Sequence, residues 1–246
     1  MLIDTHCHIH DSAYPLDTDH VLQRAHEAGV AKMICVGTDK NSTKEAAEFA
    51  AAHDNVFYSI GIHPHETKDG WEEIAAHAPG AVAVGEIGLD YFYAHSPKDV
   101  QIRGLEWQID LALKHNLPII FHVREAFDDF WPIFDNFHGI RGVVHSFTDT
   151  AQHRDEALKR GLFIGVNGIS TFTKDENQQE MFATIPLNRL LLETDAPFLT
   201  PAPLRGKVNE PAFVRHITEH QALIRDLPYE QIAAITTANA ESLFAI

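Results

Sequence analysis

Eight short apolar runs mark the 246-residue chain, and they alternate throughout with stretches patterned for a helix. They read MLIDTH at the start, AKMICVG (31–37), VFYSIGIH (56–63), AVAVGEIG (81–88), LPIIFHV (117–123), RGVVHSF (141–147), GLFIGVNG (161–168) and RLLLETD (189–195). None alternates apolar with polar residues, as a strand with one wet face would. Continuous runs are what parallel strands buried on both faces need. Between them, Ser42 with Glu45 three residues on predicts a capping box, and Ser96 before Pro97 predicts another helix start. Gly29 and Gly161 stand where helices should stop. Eight βα units in this length predict a TIM (β/α)8 barrel, and with no Pro-, Gly- or Ser-rich linker the chain reads as one domain over residues 1–246. The alternative is an open doubly wound sheet. It would carry fewer strands and a Gly-rich phosphate turn after the first, where this chain has His6 and His8.

Composition narrows the function. A net charge of −16 argues against a general nucleic-acid coat or an anionic membrane surface, both of which call for basic faces. The apolar runs are far too short to span a bilayer, and the N-terminus lacks a signal-peptide pattern, so a soluble, cytoplasmic protein without a membrane partner is expected. Cys7 and Cys35, expected near the starts of the first two strands, then read as reduced thiols. The unusual count is 17 histidines against 19 Lys plus Arg, a large pool for metal ligation.

On a strand, His6 and His8 share a face while Cys7 points the other way, so two imidazoles can grip one ion and Cys7 is a poor nucleophile beside them. Two histidines are too few to hold a metal firmly. A barrel concentrates its chemistry where strands end, and there the chain also places Glu86 (fourth run), His122 (fifth), His145 (sixth) and Asp195 (eighth). Each alone has a plain reading as a cap or a hydrogen-bonded core residue. Together they are costly to bury without a compensating cation. Glu86 and Asp195 held about 4 Å apart would repel by roughly 4 kcal/mol at an effective dielectric of about 20, which a divalent ion relieves. Six ligands exceed what one tetrahedral ion needs, so two ions are expected. His6, His8, Glu86 and Asp195 would hold one, and Glu86, His122 and His145 the other, with Glu86 bridging. Such a pair acidifies a water to a pKa near about 7, and Asp195 is the candidate to take its proton and pass it to the leaving group, which is hydrolysis.

Taken with GIHPH (61–65), VGEIGLDYF (84–92), PIIFHVREA (118–126), GVVHSF (142–147), LLETDAPFLTP (191–201), RGKVNEPAFV (205–214) and NAESLF (239–244), the IDTHCHI start makes the chain resemble the TatD family of metal-dependent deoxyribonucleases, within the amidohydrolase-type barrels. The resemblance covers essentially the whole chain. It implies exonuclease-like phosphodiester hydrolysis of DNA, single-stranded or from an end, with Mg²⁺, Mn²⁺ or Zn²⁺. It implies the same six ligands, with Glu86 in the bridging position and no carboxylated lysine. The family histidine that matches His63 lines the site, which assigns His63 to substrate phosphate.

Other positions rest on the residues themselves. Arg124 reads equally as a partner for a surface acid or as a clamp on phosphate. Glu193 shares a strand face with Asp195 and is expected to orient a ligand histidine. Arg205 and Lys207, in the basic RGKVNE loop after the eighth run, are expected to hold DNA, with an ordinary exposed turn as the plain alternative. Two other functions fit the same barrel: amide or deaminase hydrolysis, and a metal-loaded subunit of a larger assembly.

Overall fold

The computed structural model describes residues 1–93 and 95–246. Its eight strands are β1 (Leu2–Cys7), β2 (Val30–Val36), β3 (Val56–Ile60), β4 (Ala83–Asp90), β5 (Ile119–Arg124), β6 (Gly142–Val144), β7 (Phe163–Val166) and β8 (Leu190–Leu192). They form one parallel sheet in chain order, nearly closed into a barrel. Helices α1 (Thr18–Glu27) and α2 (Lys40–Ala52) follow β1 and β2, and α3 (Lys98–His115), α4 (Phe127–Asp135), α5 (Ala151–Lys159) and α6 (Glu176–Thr184) follow β4 to β7. Two helices, α7 (Val214–Arg225) and α8 (Tyr229–Phe244), follow β8. Only 3₁₀ turns lie between β3 and β4, where Pro64, Gly70 and Pro79 divide the segment too finely for an α-helix. Among the described residues no helix is long and apolar enough to cross a membrane.

β8 is too short to pair along β1, so the seam is closed by a few bonds. Asp195 N–H donates to His6 O (2.8 Å) and His8 N–H to Ala196 O (2.8 Å). The buried Asp4 carboxylate accepts from the Thr194 N–H (2.8 Å) and hydroxyl (2.6 Å). These bonds carry the chain just past β8 onto β1, which sets Asp195 beside His6 and His8.

The barrel interior is filled at the N-terminal half of the strands. Ile3, Ile34, Ala83, Ile120 and Val143 pack there with Leu243 and Phe244 of α8, which plugs the lower end. The outer strand faces pack against the helices. Two bulges connect this packing to the upper end. β1 advances three residues from Asp4 to Cys7 while β2 advances two from Met33 to Cys35, and β4 advances three from Val84 to Ile87 while β5 advances two from Ile119 to Phe121. On an unbroken strand Ile3 and Cys7 would share a face, as would Ala83 and Ile87. Instead Ile3 and Ala83 are interior, and Cys7 and Ile87 pack outside. The extra residue in each strand switches the face, as bulges near active sites do, and it turns His6, His8 and Glu86 inward above the apolar plug.

Two local expectations are corrected. Cys7 closes β1 and Cys35 is the penultimate residue of β2, so the two free, buried cysteines lie at the ends of the strands and not near their starts. The capping box at Ser42 does not form. Asp39 caps α2, accepting from the Asn41 and Ser42 N–H groups, because a carboxylate three residues upstream is a stronger acceptor at a helix N-terminus than a hydroxyl already in the first turn. The Ser42 hydroxyl instead donates to Asp11, and Glu45 accepts from the Ser12 N–H.

Candidate metal centre

The six residues read as ligands meet at the C-terminal end of the barrel, in two groups joined by Glu86. In the first, His6 Nε2 and His8 Nε2 are 3.2 Å apart, and Asp195 Oδ1 lies 3.6 and 3.4 Å from them. Glu86 Oε2 is 3.4 Å from His6 Nε2. In the second, Glu86 Oε1 is 2.7 Å from His122 Nδ1 and 2.8 Å from His145 Nε2. The two carboxylate oxygens thus face different imidazole sets. His8 is held from behind by its Nδ1–H, which donates to Val36 O (2.9 Å), leaving Nε2 to face the cluster. The His6 ring stacks on His145 at 4.0 Å between centroids, so the two groups are packed against each other.

Charge sets the protonation of this cluster. Burial alone would push Glu86 up, but His145, His63 and His122 hold it well below the usual carboxylate range. Burial likewise opposes a charge on His8, and Asp195 with Glu86 outweighs it, raising the imidazole to about 9. His145 is raised well above its ordinary value against the same burial, by Glu86 and Glu193. Asp195 is lowered against burial by its bond to His8 and by the charges of His6 and His145. Two ring nitrogens pointing at each other at 3.2 Å, ringed by two carboxylates, form a donor set that a divalent cation satisfies better than a shared proton, so the residues fit the metal.

Three more residues belong to the same place: His63, expected there from the sequence, and Asp90 and His65, which it did not single out. His63 Nε2 is 3.4 Å from Glu86 Oε1, and His63, Glu86 and His122 form one of three ligand-capable trios among the described residues, beside His6, His8 and Glu86 and His6, His145 and Glu193. Burial and the neighbouring His122 push His63 down to about 4, so it is neutral at ordinary pH. Asp90, the buried last residue of β4, puts Oδ2 3.1 Å from His122 Nε2 and 3.0 Å from His65 Nε2. Its signal was available: a carboxylate closing an apolar strand, the same pattern that singled out Glu86. His65, two residues on from His63 in the GIHPH motif, is placed on the cavity wall by its bond to Asp90.

The remaining candidates divide. Glu193 Oε1 lies 3.4 Å from His145 Nδ1 and accepts from the Ser146 N–H, as an orienting group would. Arg124 lines the cavity and meets no carboxylate within 4 Å among the described residues; its guanidinium lies over the rings of Phe92 (4.1 Å) and Tyr93 (4.8 Å). Arg205 and Lys207 are exposed and do not reach the cavity. The Arg205 guanidinium donates to Thr200 O (2.7 Å) and rests on Phe172, while the Lys207 N–H closes a turn onto Leu204 O (3.1 Å). The cavity over the cluster encloses about 690 Å³. A depression of similar size, about 700 Å³ over α5 and α6, is lined by amides, acids and one arginine without a histidine, and offers no comparable chemistry.

Comparison with known proteins places this geometry in a family context. A family model described as TatD related DNase matches residues 3–245. The metal-dependent hydrolase YabD of Bacillus subtilis (strain 168) is 39% identical over 100% of both chains. The 3′-5′ ssDNA/RNA exonuclease TatD of Citrobacter rodentium (strain ICC168) is 35% identical over 100% of this chain and 98% of its own. Among solved structures, the TatD homologue YJJV of Escherichia coli K12 superposes with a TM-score of 0.92 at 29% identity, covering 100% of this chain and 98% of that one.

Proposed function

The chain belongs to the TatD family and is a metal-dependent hydrolase of that type, and on this premise we propose that it hydrolyses phosphodiester bonds in DNA, working on single strands or from an end. The observation that carries the reading is the split of Glu86, with Oε2 turned to His6 and Oε1 to His122 and His145. One carboxylate shared by two imidazole sets suits a two-ion hydrolase site, and the nuclease relatives direct that site to phosphodiesters. In the proposed assignment His6, His8, Glu86 and Asp195 hold one ion, and Glu86, His122 and His145 the other. Bound there, Mg²⁺, Mn²⁺ or Zn²⁺ supplies positive charge against the phosphate and lowers the pKa of the attacking water.

The chain's own groups do the rest. Asp195, kept ionised by His8 and His6, takes the proton of the attacking water and returns it to the leaving oxygen. His63, neutral and at the cavity wall, hydrogen-bonds a phosphate oxygen, and Arg124 adds the positive charge that this acidic site otherwise lacks. Glu193 fixes the ring of His145, and Asp90 that of His122. Arg205 and Lys207, beyond the cavity, hold the strand at a more distant phosphate.

The test is a substrate panel. Protein stripped of metal and reloaded with Mn²⁺ is given labelled single-stranded DNA, duplex DNA, a small phosphodiester and a set of amides. Cleavage of single strands and the small diester with no turnover of amides is expected. Turnover confined to amides would replace the reading with amide hydrolysis.

A further inference from the structure

Five large apolar side chains are markedly exposed among the described residues; two of them, Tyr93 and Phe198, stand at the metal cavity, and a third, Phe92, lies against Tyr93. Tyr93 (51% exposed) and Phe198 (60% exposed) line the cavity itself. Tyr93 is on the loop after β4 and Phe198 on the loop after β8. Strands four places apart in an eight-strand ring lie opposite each other, so the loops that carry the two rings leave the barrel on opposite sides of the cavity they both line.

Both rings are exposed yet firmly placed. The N–H groups of Phe92 and Tyr93 donate to Asp90 Oδ1 (3.0 and 3.1 Å), and the other oxygen of that carboxylate faces His122. The Phe198 N–H donates to Asp195 O (2.8 Å), and Phe198 O accepts from the buried Asn209 amide. Each aromatic loop is therefore bonded to a residue of the cluster. Folding gains little from rings left in water, so their placement has its use in what enters the cavity. On the Tyr93 side the exposed Arg124 guanidinium stacks on Phe92 and Tyr93, extending the ledge with a flat cation of the kind that also carries nucleobases.

We propose that Tyr93, with Arg124, and Phe198 each stack one of the two nucleobases flanking the bond to be cut, so that the site takes only a strand whose last bases are unpaired. The inference rests on the DNA-cleaving reading given above. A phosphodiester placed at Glu86 has one nucleoside on either side, and in an ordered strand successive bases lie only about 3.4 Å apart. Rings on opposite sides of a cavity of about 690 Å³ hold both bases only if the two are pulled apart, which a paired duplex end resists. Base stacking on an aromatic ring is tolerant of sequence, so selection falls on strandedness and not on base identity.

The test uses Mn²⁺-loaded protein and a labelled single-stranded oligothymidylate, with versions carrying an abasic tetrahydrofuran residue at the last or next-to-last position. Phe198→Ala and Tyr93→Ala should each lower kcat/KM on the intact strand about tenfold, one stack's share, with metal content unchanged. Phe198→Trp and Tyr93→Phe, which keep a ring, should stay near wild type. On the strand lacking the base that a given ring holds, wild type and the matching Ala variant should be equally slow. Ala variants that cleave the intact strand like wild type, or that lose as much on every abasic strand, overturn the stacking role. Wild-type protein that cleaves none of these strands overturns the DNA reading itself, and the stacking role with it.

Discussion

Asp195 shows how much one residue is asked to do. It faces His6 and His8 at 3.6 and 3.4 Å, its N–H ties the seam to His6 O, and its backbone sits in the left-handed region (φ 58°) so that the carboxylate turns back over the barrel. Asp195→Asn keeps the size and the seam bond and removes the proton acceptor. The variant should remain folded and retain some metal while turnover falls about 10²- to 10⁴-fold, measured by single-strand cleavage beside circular dichroism and metal analysis. Near-normal turnover with an unchanged pH profile would take the proton-carrying role away from it. At this scale the sequence was informative wherever an ionisable side chain closes an apolar run, as His6, His8, Glu86, His122, His145 and Asp195 all do. Asp90 obeys the same rule, but the apolar run legible in the sequence ends at Gly88, two residues short of it, while the strand itself continues to Asp90. Its partnership with His65 and His122 is a long-range contact that no spacing encodes.

The eight strands were legible because burial on both faces leaves continuous apolar runs, and the helix stops at Gly29 and Gly161 were legible because both residues adopt positive φ, 87° and 77°. The two bulges were not. Strict alternation places His6 and His8 together, as found, but it also joins Ile3 and Cys7 on one face, which the extra residue in β1 separates. The bulge in β4 depends on Gly85: a methyl group there would lie 2.4 Å from Ile120 Cβ and 2.8 Å from Ile120 O. Gly85→Ala must push β4 off β5 at the residue preceding Glu86. A stability loss of about 1–3 kcal/mol is expected from the overpacking, together with metal loss that persists at temperatures where the fold is intact. Urea unfolding with and without added Mn²⁺ reads both, and a variant with wild-type metal content would show that the bulge does not position Glu86. Two other elements misled for a local reason. Asp39 took the cap that Ser42 and Glu45 suggested, and the β3–β4 segment was short enough in each piece to form 3₁₀ turns.

Over the whole molecule the charge of −16 sets a demand that the cluster meets only in part. Cations bound at the cluster would screen one phosphate, and in the proposed reading a strand held in line for attack needs a second point of attachment. In the proposed reading Arg205 and Lys207 serve as that point, and since neither lines the cavity, replacing them leaves the metal residues untouched. Arg205→Ala and Lys207→Ala should raise KM for single-stranded DNA and each reduce the salt slope of log KM by about 0.7, one phosphate's share, with no effect on a small phosphodiester. Equal damage to the small substrate would assign the loop to the fold. The measurement closest to the central claim is a titration of metal-free protein with Mn²⁺, following single-strand cleavage and bound metal together in wild type and Glu86→Gln. Activity should be absent in EDTA, appear only as the second equivalent per chain binds, and be lost in Glu86→Gln with weakened binding of both ions. Full activity in EDTA, or a plateau at one equivalent that Glu86→Gln leaves unchanged, would contradict a site built around Glu86 and two ions.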